Sequence, residues 1–191
     1  VSKKSKKKLS ALQKLDDASN AGKKGKTCSL IITEGDSAKG LADAGVSTVG
    51  KENFGIFPIR GKMINAIKNQ PTAVLSNEEV KSIVQIIGLE VGKFYTSTDS
   101  LRYKHVIIFA DQDPDGSHIA GLIIALFETL WPSLLRIHPT FIKRFATPVV
   151  KARDTRSKAV HSFFNMTDYD AWAAATPDFT NKNRWDIKFY K

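Results

Sequence analysis

The sequence predicts an α/β fold with a mainly parallel central sheet flanked by helices, extended towards its C-terminal end by a β-hairpin and a short helix. Three observations carry this. Short apolar runs of strand length alternate with stretches of helical spacing, the pattern of strand–helix–strand units. Three of the apolar runs end in polar clusters: Glu34-Gly35-Asp36-Ser37, Arg60-Gly61-Lys62, and Asp111-Gln112-Asp113-Pro114-Asp115-Gly116. Ligands of open α/β sheets collect beyond the carboxyl ends of the strands. The three clusters, far apart in sequence, are therefore expected to converge.

Taken in order, Ser29 to Thr33 reads as the first strand, Ser-Leu-Ile-Ile-Thr. A helical stretch follows from about Ala38 to Ala44, with Gly45 placed to close it. Phe54 to Ile59 reads as the second strand. Ser76 and Glu79 have capping-box spacing. Behind them Val80, Ile83, Val84 and Ile87 recur at helical spacing, and Gly88 is a stop signal. Lys104 to Ala110 is the third strand, built on the run Val106-Ile107-Ile108-Phe109-Ala110. Ser117 to about Leu130 is a helix apolar on most sides, which predicts burial. Phe145 to Arg153 and Ala159 to Phe164 read as two strands joined by the turn Asp154-Thr155-Arg156-Ser157. Thr167 with Asp170 is expected to cap a short helix through Ala175, and Trp185 to Tyr190 alternates like a strand. On this reading residues 1–27 form a basic flexible segment, 28–153 the α/β domain and 154–191 a C-terminal extension. The sequence contains no internal repeat.

The chain has 191 residues, 42% of them hydrophobic, enough for one domain with a substantial core. No apolar stretch has the length of a membrane span, since the longest, Ile119 to Trp131, is interrupted by Gly121, Glu128 and Thr129. The lysine-rich start has no apolar region behind it, so a signal peptide is not expected. A lone Cys28 excludes an internal disulfide and fits a reducing compartment. It opens an apolar run and reads as a small buried hydrophobe. The net charge of +10 is uneven: residues 1–26 hold nine lysines and two aspartates, giving +7, while 27–191 hold 20 basic and 17 acidic residues, giving +3. Ser2 to Lys8 and Gly22 to Lys26 read as solvated and flexible. They could serve as a linker, a phosphate-attracting arm or a nuclear-targeting run.

The acids after the third strand carry the chemistry. Carboxylates this close repel one another and raise each other's pKa, a conflict that a cation removes. Asp-x-Asp-x-Asp-Gly also opens calcium-binding EF-hand loops, which need a glutamate at the twelfth position. Counted from Asp111 that position is Leu122, the ninth is Ile119, and a strand precedes the acids. The calcium hand is therefore rejected. One aspartate would suffice to cap the following helix, and three exceed that need. Oxygen ligation favours magnesium, and the four histidines show no zinc spacing. His118 is expected to pack or hydrogen-bond beside the acids. In the first cluster Gly35, Asp36 and Ser37 shape a strand-to-helix turn, while Glu34 is placed to ligate the same metal or move a proton. Arg60 and Lys62 beside an acidic metal site suggest phosphate contact.

Glu34-Gly35-Asp36-Ser37-Ala38, Pro58-Ile59-Arg60-Gly61-Lys62-Met63-Ile64-Asn65 and Asp111-Gln112-Asp113-Pro114-Asp115-Gly116-Ser117-His118-Ile119 occur in one order. Together they closely resemble the Toprim region of type IIA DNA topoisomerases, over about Cys28 to Lys191. The segment Phe145-Ala146-Thr147-Pro148-Val149-Val150-Lys151 is similar to the family's strand after the acidic motif. Gln112 resembles the eukaryotic form, and Pro114 departs from the family pattern. The resemblance implies a Rossmann-like Toprim fold and a catalytic Mg²⁺, replaceable by Mn²⁺ or Ca²⁺. Its implied ligands are Glu34, Asp111 and Asp113, with Asp115 assisting or holding a second ion. It implies that Glu34 exchanges a proton with the DNA 3′ oxygen, and that Arg60, Lys62 and Asn65 hold the DNA backbone near the break.

The resemblance also implies a nucleophilic tyrosine in a winged-helix domain, and Tyr95, Tyr103, Tyr169 and Tyr190 lack that context. ATP is implied only for the whole enzyme, through a domain whose motifs are not found here. The chain is thus expected to be a piece of an ATP-dependent topoisomerase II, inactive alone and monomeric. The whole enzyme is expected to be a homodimer acting on double-stranded DNA in the nucleus, a DNA-bearing organelle or a viral factory. Alternatives are a stand-alone Toprim nuclease or primase-like enzyme, and a non-catalytic DNA-binding module.

Overall fold

A computed structural model describes residues 14–60, 63–110, 113–177, 179 and 183–190. The chain divides into two compact units, the first ending at Phe145 and the second beginning at Ala146.

The first unit is built on a parallel sheet. Strand β1 (Ser29–Glu34) pairs with β2 (Phe54–Ile59) on one side and β3 (His105–Phe109) on the other, and β3 pairs with β4 (Ile142–Arg144). The order is β2-β1-β3-β4. Central β1 is covered on both faces, which is why it reads as a continuous apolar run. Alternate residues face opposite sides. Ile31 and Ile56 pack with Ala42 and Val46 of helix α1 (Gly35–Val49). Leu30, Ile32, Phe57, Ile59, Val106 and Ile108 join the larger core on the other face. That core is closed by helices α2 (Pro71–Ser76), α3 (Glu78–Ile87), α4 (Pro114–Leu130) and α5 (Pro132–Ile137). Cys28 is fully buried and burial raises its thiol pKa, as expected of an inert core residue.

The joints differ from the sequence reading in instructive ways. Helix α1 runs on past Gly45 to Val49 and closes at Gly50, whose φ of 103° suits a residue without Cβ. Burial of Ala42 and Val46 against the sheet outweighs the weak helical preference of Gly45 and its β-branched neighbours. The cap of α3 is Asn77, not Ser76: the Asn77 side chain accepts the Val80 N–H at 3.2 Å, while the Ser76 hydroxyl donates to the Ala73 carbonyl. Glu79 does not close a capping box; it accepts from the Arg60 N–H and the Lys14 ammonium, each at 3.3 Å. Gly88 does end α3, with φ at 82°. Helix α4 starts at Pro114, three residues before the expected Ser117. Proline suits this first helical position because its missing N–H would have no partner there.

Part of the N-terminal segment lies against the first unit. Asp16 and Ile56 exchange backbone hydrogen bonds of 2.9 Å each, and Ala18 is buried. The Tyr103 hydroxyl receives the Ala18 N–H at 2.9 Å and donates to Asp17, which also pairs with Arg102. Lys23, Lys24 and Lys26 are exposed. No described helix is long and apolar enough to cross a membrane.

The second unit is an antiparallel sheet of order β6-β5-β7, made of β5 (Val150–Asp154), β6 (Val160–Phe163) and β7 (Trp185–Phe189). The expected strand from Phe145 is shorter at its start, since Pro148 has no N–H to give a ladder. The sequence reading kept β5 with the domain up to residue 153; among the described residues β5 pairs with β6 and β7 alone. Asp154 holds the expected turn, accepting the N–H groups of Arg156 at 2.8 Å and Ser157 at 3.2 Å. Helix α6 (Met166–Ala175) is capped by Asn165, which accepts the Asp168 N–H at 2.8 Å, rather than by Thr167. The second unit's core is aromatic: Trp172 lies edge-to-face with Trp185 at 5.0 Å and tilted against Phe163 at 5.1 Å.

Candidate functional site

The cleft lies where the parallel strands end. Adjacent strands are about 4.8 Å apart, so the residues following β1, β2 and β3 become neighbours although 24 or more positions separate them in sequence. Glu34 ends β1 and takes the N-cap position of α1, but its carboxylate makes no cap bond. Gly35 follows with φ at 73°, a left-handed turn that glycine makes without strain. The Thr33 hydroxyl donates to the Gly35 carbonyl at 3.2 Å and fixes that turn from a fully buried position.

Arg60 follows β2. Its guanidinium donates to Asp36 at 3.1 Å, and its backbone N–H is the one received by Glu79. The exposed Asp36–Arg60 pair adds little stability. Its consequence is positional: it holds a cation over the first turn of α1.

Beyond β3, Asp113 is the N-cap of α4 and its Oδ1 accepts the Gly116 N–H at 2.7 Å. One of the three aspartates thus performs the capping role. Asp115 and His118 sit on the next turn. They line a cleft of about 410 Å³ with Glu34, Gly35, Asp36, Ile59, Arg60 and Ile119. His118 is exposed at its edge beside Asp115, not packed inside.

Two sequence-predicted residues, Asp111 and Lys62, lie outside the described residues. Asp113 is not among the residues lining the cleft. Asn65 is engaged locally: its Oδ1 accepts the N–H groups of Ile67 at 3.0 Å and Lys68 at 3.3 Å, and its carbonyl accepts the Asn69 amide at 2.8 Å. Among the described residues no group of three or more His, Cys, Asp and Glu side chains is placed to hold a metal. The cleft's donors are nevertheless carboxylates with one imidazole at the rim, which fits a hard divalent cation in kind.

Two contacts around the cleft have no direct signal in the sequence. Asp36, expected to shape the turn of the first cluster, also pairs with Arg60. Arg144, at the end of β4, donates to Ser117 Oγ at 3.3 Å and brings a second cation to the start of α4. The only signal for Arg144 was its place after the short apolar pair Phe141-Ile142.

The chain belongs to the Toprim domain family, whose model matches residues 29–146; the C-terminal associated domain of TOPRIM matches residues 145–191. Within that family its sequence is similar to DNA topoisomerase 2 of eukaryotes. It is 47% identical over 182 residues to a probable DNA topoisomerase 2 of Dictyostelium discoideum, covering 95% of this chain and 11% of that one. It is 45% identical over 179 residues to DNA topoisomerase 2 of Pisum sativum, covering 93% and 12%. The crystal structure of the Plasmodium falciparum topoisomerase II DNA-binding, cleavage and re-ligation domain superposes with a TM-score of 0.78 at 39% identity. That match covers 93% of this chain and 24% of the other. The chain therefore spans about a tenth of the length of the Dictyostelium and pea relatives.

Proposed function

We propose that this chain is the magnesium-binding half of the DNA cleavage and religation site of an ATP-dependent type II DNA topoisomerase. The observation that carries this is the convergence of Glu34, Asp36, Arg60, Asp115 and His118 on one cleft at the ends of three parallel strands, in a chain of the Toprim family. Glu34, Asp111 and Asp113 would hold the ion, with Asp115 assisting or serving a second. A bound Mg²⁺ supplies electrophilic stabilisation of charge on the attacking and leaving oxygens of a phosphodiester.

The protein's own groups do the remaining work. Glu34, half-buried in the cleft lining, exchanges a proton with the 3′ oxygen. Arg60, Lys62 and Asn65 contact the DNA backbone. The nucleophilic tyrosine comes from outside these residues: Tyr95, Tyr103 and Tyr169 are buried, and neither they nor Tyr190 line the cleft. On the same reading the whole protein is a nuclear homodimer that passes one DNA duplex through another, and ATP binds in a separate domain.

Calorimetric titration of the 191-residue chain with Mg²⁺ or Mn²⁺ tests the site. Weak binding is expected, falling about tenfold or more in Glu34→Gln, consistent with loss of one charged ligand of ~1.4 kcal/mol or more. Unchanged binding in that variant removes Glu34 from the site. The chain alone is expected neither to relax supercoiled DNA nor to nick it with Mn²⁺; nicking by pure chain would favour a stand-alone nuclease.

A further inference from the structure

The same strands carry a second cleft at their opposite ends. The segment 22–26 leads into β1 and the segment 99–104 leads into β3, and these strands pair with Ser29 opposite His105. The two lead-in segments are therefore neighbours. They enclose a cleft of about 390 Å³ whose charged lining is Lys23, Lys24, Lys26, Asp99, Arg102 and Lys104. It and the carboxylate cleft lie at opposite ends of β1, whose own rise is about 17 Å.

Five cations face a single carboxylate there. Three of the five, Lys23, Lys24 and Lys26, come from the basic segment before β1, and Arg102 and Lys104 come from the segment before β3. The wall is fixed. Arg102 is nearly enclosed, with its guanidinium tied to the Ile86 carbonyl at 2.8 Å and to Asp17. Its carbonyl receives the Gly22 N–H at 3.2 Å, and the Lys104 N–H goes to the Cys28 carbonyl at 2.9 Å. Lys104 is matched by Asp99 at 2.9 Å. Among the described residues Lys23, Lys24 and Lys26 form no ion pair. Gly22 and Gly25, both at a φ of 74°, turn this Lys-Lys-Gly-Lys run on itself, and the space beside Gly25 is open. Three exposed ammonium groups, that of Lys23 donating to Asn20 Oδ1 at 3.2 Å, stand over a hydrogen-bonded basic wall and suit phosphate groups spaced along a chain.

We propose that this cleft is a second phosphate-binding site, taking the backbone of a nucleic-acid duplex independently of the carboxylate cleft. The test is anisotropy of a labelled 20-base-pair duplex with the 191-residue chain across a salt titration. Replacing Lys23, Lys24 and Lys26 with Gln is expected to lower affinity at least about tenfold and to flatten the log–log salt slope by about 2 to 3, the signature of three lost phosphate contacts. The matching Lys→Arg triple is expected to keep both. A control with equal charge loss at exposed Lys51, Lys81 and Lys188 is expected to change affinity less than about twofold and leave the slope alone. Equal losses in the cleft triple and the control overturn the proposal, because bulk charge then suffices. Binding of inorganic tripolyphosphate that the cleft triple abolishes, with duplex affinity unchanged, overturns the duplex as occupant.

Discussion

The Asp113 carboxylate accepts the Gly116 N–H at 2.7 Å and so closes the first turn of α4. It is also a proposed metal ligand, and two substitutions separate the roles. Asp113→Asn keeps a capping oxygen and removes the charge; Asp113→Ala removes both. Urea denaturation is expected to show Asp113→Ala about 1 kcal/mol less stable and Asp113→Asn within a few tenths of the parent. Both are expected to weaken Mg²⁺ binding. A loss of stability in Asn equal to that in Ala would mean the cap bond contributes nothing. Gly55 offers a second residue-scale test. A Cβ there would stand 2.2 Å from the Tyr103 hydroxyl oxygen and 2.8 Å from its ring carbon. That hydroxyl cannot retreat, because it bridges Ala18 and Asp17, and burial with the Asp17 bond pushes its pKa far upward. Gly55→Ala is expected to cost about 1–3 kcal/mol in a urea titration, the overpacking range. A neutral result would show that the N-terminal segment yields easily.

At the scale of elements, His105 of β3 links titration to stability. Burial lowers its pKa below the ordinary 6.5; the nearby Lys143, His138 and Lys104 charges push the same way, against the Thr140 carbonyl bond. The folded state thus binds this proton less readily than the unfolded chain does. His105 therefore contributes stability above pH 6.5 that is lost as pH falls from 6.5 through the lower folded pKa. The urea midpoint is expected to drop between pH 7 and pH 5, with a smaller drop in His105→Gln. An unchanged drop in the variant would assign the effect elsewhere.

The elements also show what the sequence made legible. Strands β1, β2 and β3 were readable because covered strands must be apolar throughout, and the Gly88 stop because a left-handed residue favours glycine. Helix α2 was not: Val74 is its one buried residue, so no periodicity marks it. Strand β4 has three residues, two of them charged. At the site, Glu34 and Asp115 were legible as acids at strand ends. The Arg60 contacts with Asp36 and Glu79 span 24 and 19 positions, and only the folded sheet brings such residues together.

For the whole molecule, the two units have separate means of cohesion. Both hydrophobic core clusters, all four parallel strands and the cleft belong to the unit ending at Phe145. The unit from Ala146 relies on one small sheet and an aromatic cluster around Trp172. A chain ending at Phe145 is therefore expected to fold. Its β1, β2 and β3 amides should keep their hydrogen-exchange protection, since each strand is paired and buried within that unit. The isolated segment 146–191 is expected to be marginal, because a chain of that size buries too little surface to offset its conformational entropy. Hydrogen exchange on the two pieces decides this. Loss of protection in β1 of the shortened chain would show that its sheet depends on the second unit, and that the proposed Mg²⁺ site depends on it too.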